Sequence, residues 1–174
     1  HGQCICGNFN HRGVIINNKI ILNYFSDEQT LDHALRKFMN NNPQQAALVS
    51  VDVPLISNQS VFMNIALIKQ YHENMSISKV EPIVFSALRR LKLEDIAHKR
   101  NPDLSNEERF FAMLLRAVMV KDALVVIDRP FKIIPHLKNI DYIFQVLKDI
   151  EDLYLNCHIY DYEWMREKYG ALSK

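Results

Sequence analysis

The feature that most constrains the fold is the stretch from Ser105 to Arg129, where a capped helical pattern leads directly into a short apolar run. Residues 123–127 read Ala-Leu-Val-Val-Ile, without a polar side chain. An apolar run without alternation is typical of an interior strand in a parallel sheet, because helices cover both faces of such a sheet. Asp128 and Arg129 follow directly, so the sequence predicts a buried strand that ends in two charged residues.

The helix before this strand begins with a capping box, Ser105-Asn106-Glu107-Glu108. In a capping box the serine hydroxyl accepts a hydrogen bond from the amide three residues later, and the glutamate side chain accepts one from the serine amide. The helix is predicted to run to about Val120. It is apolar on most of its surface, which indicates that it is buried.

The other elements are predicted from periodicity and turn residues. They are a hairpin over 14–22 with its turn at Asn17-Asn18, a helix to about Asn40 capped by Asp27 or Ser26, a strand over 46–51, helices over 61–97 with breaks near Ser76 and Pro82, a helix over 140–150, a strand over 155–160 and a helix over 163–169. The alternation of helix and strand in the second half predicts an α/β fold with a parallel sheet. We expect one domain over 1–174, with a helical subdomain at about 57–120 and a sheet core formed by 1–56 and 121–174.

Charge and cysteine content exclude some classes of function. The formal net charge is +1, and acidic and basic residues are interleaved, so no nucleic-acid partner is predicted. The three cysteines, Cys4, Cys6 and Cys157, are an odd number, which favours reduced thiols in a cytoplasmic compartment. Cys4 and Cys6 with His11 lack zinc-site spacing and a fourth ligand, so no metal centre is predicted there.

The order of the elements, with certain short motifs, resembles the nucleotide-binding domain of ABC transporters. Residues 49–67, VSVDVPLISNQSVFMNIAL, resemble the Q-loop and the helix after it, and their wording is closest to the lipid-trafficking (Mla/MCE-type) branch. Leu104-Ser105 opens the place of the LSGGQ signature, and Arg116-Ala117 matches the end of the signature helix. Asp128 falls at the Walker B aspartate, and Pro130-Phe131 match the DEPF ending. Residues 5–7 and 13–17 resemble the end of the Walker A helix and the strand after it.

The resemblance implies a P-loop NTPase-like fold, with a small N-terminal β hairpin, that binds ATP and magnesium. It implies Ser105, Asp128 and Asp52 as nucleotide-contacting residues, with Asp128 the candidate magnesium ligand. It further implies a membrane permease, or other ABC-type subunits, that docks on the helical subdomain, and pairing with a second copy of the chain. The implied location is cytoplasmic, at the inner face of the membrane.

The motif positions depart from the family pattern where the family needs chemistry. No GxxxxGK[ST] phosphate loop is present, so it either lies outside this sequence or does not exist. Arginine cannot act as a general base, because it stays protonated and has no acceptor atom. The altered positions are Val51 for the Q-loop glutamine, Asn106 and Glu107 for the signature glycines, Arg129 for the catalytic glutamate, Pro135 for the D-loop aspartate and Tyr160 for the switch histidine. His158 shares a strand face with Tyr160, since side chains alternate along a strand.

These departures predict a degenerate ABC ATP-binding-subunit-like protein that does not hydrolyse ATP. Its role would be scaffolding or regulation in a transporter-related system, with lipid as the suggested cargo. Two alternatives stay open at this point. The chain could be a working, asymmetric ATP-binding subunit whose Walker A loop lies outside this sequence, or it could be a stand-alone protein-interaction module.

Overall fold

The computed structural model describes residues 13–173, with side chains through Gly170. In this range a five-stranded sheet carries helices on both faces, which confirms the predicted α/β class. The strands are β1 (Val14–Ile15), β2 (Ile20–Phe25), β3 (Ala46–Val49), β4 (Leu124–Asp128) and β5 (Asn156–Tyr162). The α-helices are α1 (Glu28–Asn41), α2 (Val61–Glu73), α3 (Ile77–Arg90), α4 (Asn106–Val118), α5 (Pro130–Ile133) and α6 (Asp141–Asp149).

The predicted N-terminal hairpin is present as the antiparallel pair β1–β2. Its turn is held by Asn17, whose side-chain oxygen accepts hydrogen bonds from the amides of Lys19 at 2.8 Å and Ile20 at 2.9 Å. Strand β2 then continues beyond the hairpin and pairs in parallel with β5. The hairpin therefore leads into the main sheet and is continuous with it.

The strand order is β1-β2-β5-β4-β3, and every pair other than β1–β2 is parallel. Strand β4 lies between β5 and β3, which confirms the interior position predicted from its apolar sequence. Because β2, β3, β4 and β5 run in one direction, their carboxyl ends meet at one edge of the sheet, here called the carboxyl edge. Asp128 lies at this edge, where it is paired in register with Tyr160.

The chain between β3 and β4 is helical, as predicted, and has no strand longer than an isolated bridge between Ser60 and Arg100. Helix α2 begins at the cap residue Ser60, whose hydroxyl accepts from the Met63 amide at 3.1 Å. The predicted break at Pro82 is wrong, because Pro82 lies inside α3 and the helix continues to Arg90. The limits of the helical subdomain, 57–120, stay a prediction.

The buried core has two parts, one on each face of the sheet. The smaller part lies under α1 and joins Leu31 and Leu35 to Phe25, Val126 and Tyr160 of the strands. The larger part lies on the other face and includes most of α4, which is buried along its whole length from Phe110 to Leu115. Burial of α4 confirms the interpretation of its apolar surface.

The last part of the chain forms a 3-10 helix over Glu163–Ser173, where a helix was predicted over 163–169. Gly170, with φ of 73°, interrupts the regular conformation. Tyr169 is buried against Tyr24 and Phe131, in edge-to-face contacts with centroid separations of 5.5 and 5.6 Å. Among the residues described, none of the helices combines the length and the apolar content that a bilayer crossing needs.

Candidate functional site at the carboxyl edge of the sheet

The site is built around Asp128 and Arg129, which leave β4 at the carboxyl edge. The apolar run before them is buried except at Leu124, so it carries both charged residues into the interior, where they are 3% and 5% exposed. The Arg129 amide donates to the Tyr160 carbonyl oxygen at 2.8 Å, which extends the β4–β5 pairing. Arg129 itself has φ of 45° and ψ of 68°, a left-handed conformation that is uncommon for a residue with a side chain.

Both carboxylate oxygens of Asp128 are already engaged. Oδ1 accepts from Arg129 Nε at 2.7 Å. Oδ2 accepts from the Ser50 hydroxyl at 2.7 Å and from Arg129 Nη2 at 3.3 Å. Ser50 is itself buried, at the end of β3. The Asp128 carboxylate is thus held by donors that follow two neighbouring strands, Ser50 after β3 and Arg129 after β4.

Arg129 extends from Asp128 to the first turns of α1. Its Nη2 donates to Asp32 Oδ1 at 3.0 Å, and its Nη1 donates to the Tyr162 hydroxyl at 3.0 Å and lies 3.7 Å from Glu28 Oε1. Burial alone would lower the pKa of Arg129, but the hydrogen bonds to Asp128 and Tyr162 outweigh it and raise the pKa above its ordinary value. The guanidinium therefore stays charged at every pH at which the protein is folded.

These contacts decide whether magnesium fits here. Mg²⁺ needs free oxygen ligands at about 2.0–2.1 Å in octahedral geometry. Asp128 has no oxygen free of a donor, and the Arg129 cation would repel a second cation beside it. No group of three or more histidine, cysteine, aspartate or glutamate side chains suited to a metal occurs within residues 13–170. The residues present do not fit a magnesium ion at Asp128.

Ser105 lies at the start of α4, and its predicted capping box is confirmed. Its hydroxyl accepts from the Glu108 amide at 3.1 Å, and its amide donates to Glu108 Oε1 at 2.9 Å. Asn106 Oδ1 accepts from Arg109 Nη1 at 2.9 Å, and Glu107 Oε1 lies 3.0 Å from His136 Nε2. These pairs lie within α4 and its cap, except that Glu107 contacts His136 in the turn after α5. In the described part of the chain, none of them includes Asp128.

Asp52 and Val51 lie on an exposed turn directly after β3. The Asp52 amide donates to the Ser50 hydroxyl at 3.2 Å, whereas its carboxylate is exposed and takes no part in the hydrogen bonds of Asp128 and Arg129. Val51 is 48% exposed, so it does not contribute to the buried site. Of the three residues predicted to contact nucleotide, the structure places only Asp128 within the buried cluster.

Tyr160 and His158 share one face of β5, as predicted, and both rings contact Phe38 of α1. Tyr160 also stacks on Phe25 with a centroid separation of 5.6 Å. Burial raises the pKa of Tyr160 to about 12 and lowers that of His158 to about 4, so both are neutral at pH 7. Pro135 lies on an exposed turn after α5. Tyr160 and His158 therefore contribute ring packing against α1, and Pro135 contributes a turn.

Sequence reasoning missed Ser50, Asp32 and Tyr162, which complete the cluster. Ser50 was detectable, because it directly follows the apolar strand 46–49 and must lie at the same edge as Asp128. Asp32 and Tyr162 could not be identified from the sequence, because they contact Arg129 only through the packing of α1 against the end of β5. Asp161 was also missed: burial raises the pKa of its carboxyl, which accepts from the Tyr169 hydroxyl at 2.6 Å.

The connection from β2 to α1 has the strand–turn–helix form that carries a phosphate loop in P-loop proteins. Here it consists of Ser26 and Asp27, far shorter than GxxxxGK[ST]. The Asp27 carboxylate caps α1 by accepting from the Thr30 amide at 2.7 Å. This hydrogen bond, together with one from the Thr30 hydroxyl, lowers the pKa of Asp27, so the helix start is anionic. The candidate Walker A remnant at 5–7, and Cys4, Cys6 and His11, lie outside the described residues.

Comparison with solved structures identifies the fold. No protein-family model and no curated protein matches the chain. The chain is similar to cbiO1 from Clostridium perfringens, part of the ABC transporter complex cbiONQ, with 17% identity and a TM-score of 0.57 over 73% of this chain. It is similar to the ATP-binding cassette MJ0796 bound to ADP and Pi, with 17% identity and a TM-score of 0.56 over 76% of this chain. It is also similar to an ATP-binding subunit of an ABC transporter, with 13% identity and a TM-score of 0.61 over 92% of this chain.

The chain therefore has the fold of the ATP-binding cassettes of ABC transporters, and the fold implied by its motifs is confirmed. It spans 50% of the length of cbiO1 and 58% of that of MJ0796. The likeness to the lipid-trafficking branch stays a prediction.

Proposed function

We propose that this chain is a non-hydrolysing relative of the ABC transporter ATP-binding subunits, with a scaffolding or regulatory role in a transporter-related system. The observation that carries the proposal is the buried Asp128–Arg129 pair at the carboxyl edge, with Ser50 on the second carboxylate oxygen. A lipid cargo is the more specific form of the proposal, supported by the wording of residues 49–67 alone.

The chemistry of hydrolysis has no support at this edge. A general base must accept a proton from water, and the side chain that follows Asp128 is a guanidinium with donors only. Loss of a general base typically lowers a rate by about 10²–10⁴. Asp128 itself is neutralised by Arg129 and does not fit a magnesium ion, so neither the ion nor the attacking water would be held.

Phosphate binding at α4 is also disfavoured. The Ser105 hydroxyl is used by the Glu108 amide, and two carboxylates, Glu107 and Glu108, occupy the first turn. Carboxylates stabilise a helix start through its dipole, but they repel an incoming phosphate by about 1–4 kcal/mol per charge pair at 4 Å. The start of α4 therefore has a structural cap and offers no site for an anion.

A partner surface is supported by the loop from Val51 to Gln59. The loop exposes Val51, Val53 and Ile56, which are 48%, 42% and 48% exposed. Its backbone is held by Arg116, which donates to the carbonyl oxygens of Pro54 and Val53, and by the buried Asn64, which accepts from the Ile56 amide at 2.7 Å. A rigid loop with apolar side chains in solvent is suited to a protein partner, because little entropy is lost on binding.

We propose that this partner is a membrane permease or another ABC-type subunit, which would place the chain at the inner face of the membrane. The proposal extends to this chain what is known of its structural neighbours: cbiO1 is part of an ABC transporter complex, and MJ0796 forms a dimer in its ADP-bound structure. Pairing with a second copy of the chain is the other form of this proposal.

Calorimetric titration of the purified protein with Mg-ATP tests the central proposal. We expect no binding heat at micromolar nucleotide and no phosphate release, with an active ATP-binding cassette as the positive control. Micromolar binding with turnover would overturn the proposal. Binding without turnover would instead favour the asymmetric ATP-binding subunit.

A further inference from the structure

Arg129 connects three elements that meet at the carboxyl edge. Its guanidinium contacts Asp128 at the end of β4, Tyr162 at the end of β5 and Asp32 in α1. Each of its three nitrogens donates at least one hydrogen bond at 3.0 Å or less. The side chain is 6% exposed, so these contacts are made out of water, where a hydrogen bond to a charged group is strong.

The start of α1 carries negative charges that pair with the Arg129 guanidinium. Glu28 and Asp32 lie one turn apart on α1, both within 4.0 Å of the guanidinium. Without Arg129, these two carboxylates would face Asp128 at the same edge and repel it. The arginine therefore sets whether α1 is attracted to the end of β4 or repelled from it.

The backbone at Arg129 supports a structural constraint at this position. A left-handed conformation is disfavoured for a buried residue with a side chain, and it persists only when surrounding contacts fix it. Pro130 follows and begins α5, so the chain must turn sharply here while the side chain reaches back to Asp128. Glycine or asparagine would satisfy the turn more easily, but neither could supply the guanidinium.

We propose that Arg129 is an internal cation that occupies the Asp128 carboxylate and locks α1 to the ends of β4 and β5. The lock holds the carboxyl edge in one arrangement without a bound metal ion or nucleotide. The position beside Asp128 that a ligand cation would take is filled by the chain's own guanidinium. The inference rests on the proposed function, since it concerns the same site.

The first test compares Arg129→Ala with Arg90→Ala by thermal unfolding without nucleotide. Arg90 also pairs with an aspartate, Asp152, but its side chain is 35% exposed and that of Asp152 is 62% exposed. We expect Arg129→Ala to lower Tm by about 10 °C, because it leaves a buried carboxylate without its cation. Arg90→Ala should lower Tm by about 2 °C or less. Equal shifts for the two variants would overturn the lock.

Chemical rescue tests the cation itself. Removal of the Arg129 side chain leaves a space bordered by Glu28, which is 68% exposed, so a small solute can enter. Methylguanidinium should raise the Tm of Arg129→Ala and leave that of the unmodified protein unchanged. Methylammonium at equal ionic strength should have little effect, since it lacks the planar fork that Asp128 and Asp32 accept. No selective rescue would contradict an internal cation site.

A milder variant covers the case in which Arg129→Ala does not fold. Asp32→Asn removes charge from the α1 side of the lock alone, and Asp32 is 35% exposed. Amide hydrogen exchange in the first turns of α1 should become at least tenfold faster than in the unmodified protein, while exchange in β4 stays unchanged. Unchanged exchange in α1 would show that the contact does not hold the helix.

These tests separate the lock from the proposed function. They use stability and exchange without nucleotide, whereas the proposed function is tested by Mg-ATP titration. Mg-ATP turnover together with a large Tm loss in Arg129→Ala would refute the proposed function and retain the lock. A small Tm loss in Arg129→Ala without Mg-ATP turnover would refute the lock and retain the proposed function.

Discussion

Two regions that resemble nucleotide-contacting motifs are held by different kinds of contact. At the end of β4, Asp128 and Arg129 are buried and tied to other elements by hydrogen bonds of 2.7–3.3 Å. At the start of α4, Ser105 and Glu108 are solvent-accessible and cap each other's backbone amides, and Glu108 also lies 3.9 Å from Lys99 Nζ. The first region joins distant parts of the chain, and the second organises one helical turn.

The difference shows that charged residues have different structural requirements in the interior and at the surface. A carboxylate in the interior needs a cation, because an unpaired buried charge costs several kcal/mol. A helix start at the surface needs only a cap, because water can hydrogen-bond the backbone amides that the cap leaves unpaired. The interior carboxylate is therefore paired with a cation of the same chain, whereas the surface helix start needs only its cap.

The largest expected effect is at the interior region. Asp128→Ala should lower the free energy of unfolding by about 3–5 kcal/mol, because Arg129 would remain buried and charged beside Glu28 and Asp32. The matched control, Asp152→Ala, removes an exposed partner of Arg90 and should cost about 1 kcal/mol or less. Urea unfolding measures both. A loss at Asp128 as small as that at Asp152 would erase the contrast between the two regions.

An intermediate effect is expected from His158, a half-buried polar group on the same sheet. Its pKa is lowered to about 4, below the unfolded value of about 6.5. The unfolded chain therefore binds the proton more readily, and stability is lost as pH falls from 6.5 towards 4. The loss between pH 7.5 and pH 5 is about 2 kcal/mol. In His158→Leu, urea midpoints should lose this part of the pH dependence. An unchanged dependence would show that His158 is not its source.

The smallest expected effect is at the start of α4. Ser105→Ala should cost about 1 kcal/mol, the usual value of an N-cap hydrogen bond. Ser76→Ala is the control, since Ser76 occupies the N-cap of α3 but its side chain makes no capping hydrogen bond. Its cost should be a few tenths of a kcal/mol. If urea unfolding gave equal losses for the two serines, the capping box would not be the source of stability at α4.

Much of the fold was predictable because the relevant interactions are local. The hairpin turn at Asn17, the cap of α1 at Asp27 and the capping box of α4 all depend on neighbours in sequence. The interior position of β4 was predictable from apolar composition alone. Pro82 was misjudged, because burial of Val84 and Leu88 keeps α3 continuous beyond the proline.

The site was predictable only in part. The sequence pointed to Asp128 and Arg129 as neighbours, but it could not show that Arg129 reaches Asp32, a residue 97 positions away. Nor could it show that Ser50 shares Asp128 with Arg129. Such partners depend on how α1 packs on the sheet. The periodicity of its apolar residues predicts that α1 packs there, but it does not determine which polar residues of α1 face the ends of the strands.

The two acidic residues of α1 beside Arg129 bear on how this chain could change over evolutionary time. A single Arg129→Glu substitution would place four carboxylates, those of Glu28, Asp32, Asp128 and the new residue, around one edge without a cation. Because like charges repel and an unpaired buried charge is costly, such a chain should fold poorly. The acidic residues of α1 therefore favour a cation at position 129 for reasons of stability alone.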